Sequence, residues 1–224
     1  MTEIDPRALA PGRFVQSDDP AIVSFAREAA AGATSRLDAA IRLYYAVRDK
    51  VIYDPYVRFA APETYSAAHV LAAGRGFCIP KAAILAACAR AVGIPARLGF
   101  ADVRNHLATS KLLEKNGGDV FFWHSYAEIM AEDRWVKATP AFNLALCEKF
   151  GVHPLEWDGK TDSVFHPFDK QDRRHMEYMG DHGSFYDVPY DEITATYRRN
   201  CPALMVDDPW GTGADFAAEA KAEA

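Results

Sequence analysis

Polar and apolar positions divide the chain into a helical first third, a strand-rich middle and a last part without clear period. Asp19 followed by Pro20 predicts a helix over "AIVSFAREAA", because an aspartate cap accepts a free first-turn N–H and proline there has none to leave unpaired. Ser35 and Asp38 form a capping-box-like pattern ahead of "AAIRLYYAVRDKVIY", in which Ile41, Tyr44, Tyr45 and Val51 fall roughly at helical spacing. A short helix "SAAHVLAAG" is predicted to stop at Gly74. From about Cys78 to Val92 runs "CIPKAAILAACARAV", apolar nearly all round, with Lys81 and Arg90 as its polar residues besides two cysteines. Such a helix is enclosed by the rest of the protein, and its alanines permit close approach by a sheet.

"ARLGFADV" reads as the first strand, residues 104–118 as an exposed loop or short helix, and "DVFFWHSYAEIM" with "RWVKATPAF" as a β-hairpin around "AEDR". Strand alternation groups Phe122, His124, Tyr126, Glu128 and Met130 on one face. A turn centred between Glu132 and Asp133 sets Glu128 opposite Lys137, a register that charge pairing supports, and sets Ala141 opposite His124 with Thr139 and Asn143 as diagonal neighbours. Beyond residue 150 the chain is expected to wrap the core irregularly, then to form a last helix near "YDEITATYRRN" and a solvated tail, "DFAAEAKAEA". The expectation is one domain over residues 1–210 with a flexible tail at 211–224.

Composition narrows the function. With 31 acidic and 25 basic residues the net charge is -6, and no basic cluster suits phosphates, so nucleic acid and membrane are set aside as partners in favour of a peptide or small amide. The polar, proline-broken start and the lack of an eighteen-residue apolar run predict a cytoplasmic protein. Cys78, Cys88, Cys147 and Cys201 form no C-x-x-C pair and read as free thiols. His166, His175 and His182 are spaced nine and seven apart, which fits no common ligand motif. No metal or cofactor is expected, and that aromatic, polar stretch is expected to wall a cleft.

Two residues carry candidate chemistry. Cys78 opens a helix, where the macrodipole and unpaired first-turn N–H groups favour a thiolate and can receive a developing oxyanion. Gly74 and Gly76 shape the turn into that helix, and Lys81 would add a positive charge if it leaned towards the sulfur. The plain alternative is a small buried hydrophobe, which is what Cys88 is expected to be. His124, on a strand beside polar neighbours, is either a base for that thiol or a partly exposed strand histidine.

"GFC" at a helix start, "HSYAEI" and "RWVKATPAF", in that order, resemble the transglutaminase-like superfamily, with a motif core at about residues 37–143. The resemblance implies an α+β, papain-like fold, with a cysteine-bearing helix on an antiparallel sheet, N-terminal helices and a loop-rich C-terminal part. It further implies a Cys-His-Asp triad acting on amides, with Cys78 as nucleophile and His124 as general base. Where the family has its aspartate this chain has Thr139, so the residue that orients His124 stays open between Asn143, Thr139 and Asp158, with Asp102 as a further loop carboxylate. The expected activity is hydrolysis or transamidation of an amide, peptide or isopeptide through a Cys78 thioester. A non-catalytic binding module with an incomplete triad is the alternative.

Overall fold

A computed structural model describes residues 4–106, 108–164 and 176–223. Helix α1 (Pro20–Ala29) starts where Asp19 accepts the Ala21 N–H at 2.8 Å, and α2 (Arg36–Lys50) where Ser35 Oγ accepts the Asp38 N–H at 3.0 Å. Both caps are those predicted. A short strand β1 (Ile52–Tyr53) follows; beyond α3 (Ala67–Ala73) it pairs in parallel with β2 (Arg75–Gly76). Gly74 ends α3 in the left-handed region at φ 68°, which a Cβ would disfavour.

Helix α4 (Cys78–Ala91) is buried from Ile79 to Arg90. It packs on one side against the sheet and on the others against α1, α2 and α3. Ala82, Ala83, Ala86, Ala87 and Ala89 are all fully buried, and their small side chains let neighbours close in from every direction. Ile84 and Leu85, also fully buried, each contribute roughly 1.5–3 kcal/mol of burial free energy.

The rest of the chain supplies β3 (Ala96–Asn105), α5 (Ser110–Asn116), β4 (Val120–Ile129), β5 (Val136–Ala138), α6 (Leu144–Phe150), β6 (Met176–Phe185), α7 (Tyr190–Asn200) and α8 (Phe216–Glu223). Strands β5, β4, β3 and β6, in that order, form an antiparallel sheet. The α+β arrangement with its cysteine helix against this sheet is as expected. No helix among the described residues is long and apolar enough to cross a membrane.

Four local expectations need correction. The stretch read as irregular contains β6, a full edge strand whose Gly180 and Gly183 and half-exposed side chains hide its period. The tail is not solvated: α8 docks by Phe216, whose ring lies 5.5 Å from Tyr56 and 5.8 Å from Tyr53. Lys81 leans away from Cys78; its Nζ donates to the Arg48 carbonyl at 2.9 Å and to that of Val51, closing the end of α2, and burial pulls its pKa down to about 7. Glu128 does pair with Lys137 in register, but its carboxylate binds Arg97 and Ser184, while Lys137 lies over the Tyr126 ring at 4.8 Å. The register survives because buried alternation fixes it without the charge pair.

Candidate active site

Cys78 is the first residue of α4, preceded by Phe77, whose side chain makes no capping bond. Pro80 in the first turn lacks an N–H, so few donors compete at this end. Backbone N–H groups of Ser125 and Ile79 reach the Cys78 sulfur and favour its thiolate, but desolvation is larger and pushes the thiol up to about 11. The eased ionisation expected at a helix start is thus overruled by burial. Cys78 is partly exposed, whereas Cys88, Cys147 and Cys201 are buried; all four are free.

His124 sits in β4, opposite Ala101 of β3, and Ser125, whose N–H meets the sulfur, is its neighbour. Simple alternation does not bring it there. Between Ala101 and Val103 the pairing slips, so that Phe122 and Trp123 oppose Asp102 alone, and Trp123 takes φ 59°. That bulge places Phe121, Phe122 and His124 on one cleft, although alternation assigns Phe121 to the opposite face. A bulky residue in the left-handed region costs about 1–2 kcal/mol, and local bonds offset it. Asp102 Oδ1 accepts the Trp123 N–H at 3.0 Å and bonds His182 Nε2 at 2.7 Å, while His182 stacks on the Trp123 indole at 4.0 Å and 7°. Asp102 therefore serves the bulge and His182.

Backbone hydrogen bonding by the Val164 carbonyl favours the charged form of the His124 ring, whose Nε2 has no partner among the described residues. Burial outweighs the bond and pulls the histidine down to about 4. Thr139 holds the same carbonyl: its Oγ1 donates to Val164 O at 2.5 Å. Residues 163 and 164 lie along β5, with Thr139 N–H donating to Ser163 O and Ser163 N–H to Lys137 O, both at 2.9 Å. This strand-like annealing fixes Val164 behind the imidazole.

The other orienting candidates are committed elsewhere. Asn143 is buried at the start of α6, and its Oδ1 accepts the Tyr53 N–H at 3.0 Å. Asp158 is exposed and accepts the Lys160 and Thr161 N–H groups at 2.8 and 2.7 Å, closing a turn. Thr139 alone of the three reaches the histidine, through a carbonyl. A backbone carbonyl leaves no trace in residue types, which is why Val164 was not among the candidates. Of the three histidines, His182 is placed with Asp102, while His166 and His175 lie outside the described residues. No group of three metal-binding side chains occurs among the described residues.

Cys78 and His124 line one cleft, walled mainly by rings such as Tyr53, Phe77, Phe122, Phe142 and Tyr197. Tyr53 and Tyr197 are held well above the usual phenol range by burial.

The family model for the transglutaminase-like superfamily matches residues 23–140, which include Cys78, His124 and Thr139. No curated protein matches the chain. A solved structure from Cytophaga hutchinsonii, named as a "Putative Cysteine Protease", is similar at 17% identity and a TM-score of 0.46, over 80% of this chain and 52% of that one. The chain thus spans about half the length of that neighbour.

Proposed function

The chain belongs to the transglutaminase-like superfamily, and on that premise we propose that it is a thiol-dependent acyl-transfer enzyme that opens an amide bond at Cys78. The observation that carries this reading is that a helix-opening thiol and a histidine whose buried Nε2 has no hydrogen-bond partner among the described residues line the same cleft. With the thiol up to about 11 and the imidazole down to about 4, the resting pair is neutral. Proton transfer then accompanies attack instead of preceding it.

As the sulfur adds to the carbonyl carbon, His124 Nε2 takes the thiol proton. In this reading the Ile79 and Ser125 N–H groups, which reach the sulfur, would receive the oxyanion. Collapse breaks the C–N bond, and the proton on Nε2 passes to the departing amine, leaving a thioester on Cys78. Water attacks the thioester, gives its proton to His124 and releases a carboxylic acid, and the proton returns to the thiol. An amine in place of water gives transamidation by the same first half. The Val164 carbonyl orients the ring through a dipole where a carboxylate would bring a full charge, so it stabilises the imidazolium less.

The test is acylation by an activated thioester followed by intact mass and peptide mapping. A hydroxylamine-labile adduct on Cys78 is expected, lost in Cys78→Ala and formed about 100-fold more slowly in His124→Ala. Undiminished labelling in either variant overturns the proposal. A binding module is the second reading, favoured by the absence of a carboxylate bonded to His124 among the described residues; it predicts substrate binding without any adduct.

A further inference from the structure

The cleft wall is specific in its chemistry, and we propose that it selects an amide whose acyl part is an uncharged arylalkyl group, such as a 3-phenylpropanoyl unit. This rests on the reading of Cys78 as acyl acceptor and names what that acceptor takes. Among the described residues that line the cleft there is no aspartate, glutamate, lysine or arginine, and His124 is kept neutral by burial. A charged acyl group would be desolvated there without a partner.

Two polar side chains of the wall are already used. Asn116 Nδ2 donates to the Gly118 and Val120 carbonyls, both at 2.8 Å, and its Oδ1 accepts the Cys201 thiol at 3.3 Å. Tyr197 donates its hydroxyl to the Phe122 carbonyl at 3.2 Å. Charges nearby also face one another: Lys111 pairs with Glu219 at 3.4 Å, and Arg75 with Asp54 at 3.4 Å.

Tyr53, Asn105, Leu112 and Phe142 line both this cleft and a smaller cavity, whose wall also includes Phe216 of α8. Aromatic rings are suited to edge and offset contacts with such a wall.

The experiment separates recognition from chemistry. Binding of 3-phenylpropionamide, succinamic acid and β-alaninamide to the full-length Cys78→Ala protein is measured by titration calorimetry. Acylation of the wild type by thioesters of the same three acyl groups is measured in parallel, each corrected for its reaction with free cysteine. The arylalkyl amide is expected to bind at least about 100-fold more tightly than either charged amide, and its thioester to react faster by a similar factor. Equal or better binding of a charged amide, or no binding of any, overturns the inference. Selective binding of the arylalkyl amide with no acylation of the wild type upholds it and overturns the acyl-transfer reading instead.

Discussion

Thr139 Oγ1 donates to the Val164 carbonyl at 2.5 Å, and the same carbonyl receives the His124 ring. The threonine thus acts on the histidine at one remove. Thr139→Val keeps the shape and removes the donor, freeing the carbonyl to move. Acylation should fall about tenfold and stability by about 1 kcal/mol, the net worth of one hydrogen bond. Thr139→Ser should restore most of both. Loss of stability with unchanged acylation would show that Val164 does not position the ring.

The raised thiol and lowered imidazole give opposite expectations from a preformed thiolate–imidazolium pair. Alkylation of Cys78 by iodoacetamide should climb about tenfold per pH unit from 7 to 9, with no plateau at acid pH, because only the thiolate reacts. The other three cysteines are buried and should stay silent in the folded protein. A plateau between pH 5 and 8 would mean that the ion pair exists at rest.

Much of this fold was readable because its signals are local. The Asp19 and Ser35 caps, Gly74 and the alanine-rich run each specify their own element. Glu128 opposite Lys137 was recoverable from alternation around a short turn. What was not readable depends on tertiary contact. The bulge at Trp123 reorders which side chains face the cleft, and it is held by Asp102, over twenty residues away. Lys81 is drawn to carbonyls thirty or more residues earlier. The glycine-spaced β6 has strand hydrogen bonding without a strand-like pattern, and Val164 acts through an atom that every residue possesses.

Neutral burial of His124 links stability to pH. Its pKa falls from 6.5 to about 4 on folding, so between those values the unfolded chain binds more protons than the folded one. The contribution is fully present above about pH 6.5 and is lost as pH falls towards 4, reaching about 3 kcal/mol. Urea midpoints of wild type and His124→Gln, compared at pH 7 and pH 4.5, isolate it from other titrating groups. Wild type should lose about 2–3 kcal/mol more than the variant over that interval. Equal losses would mean that the ring is not held neutral.

Asp102 should matter to His124 although its carboxylate touches other groups. Asp102→Ala leaves the Trp123 N–H and His182 without their shared acceptor. The strained bulge then has less to hold it, and about 2 kcal/mol of stability should go. Acylation should fall as well, since the bulge turns His124 into the cleft. His182→Gln, which leaves the Asp102–Trp123 bond in place, should cost less on both counts. The reverse order would place the control at the stacked histidine.

The last helix ties the chain's end to the cleft. Phe216 is 5% exposed and packs on Tyr53, Tyr56 and Phe150, while Glu219 accepts the Tyr56 hydroxyl and pairs with Lys111. Removing a buried phenyl ring costs about 3 kcal/mol, and the effect should be at or below that figure because a terminal helix can detach instead of leaving a cavity. Phe216→Ala is therefore expected to lower the denaturation midpoint and to raise hydrogen exchange in α8 and β1 together. Tyr53 lies between Phe216 and the cleft, so the same variant should weaken binding of an arylalkyl amide to the Cys78→Ala protein. Unchanged exchange in β1 would mean that α8 is a passenger on the domain.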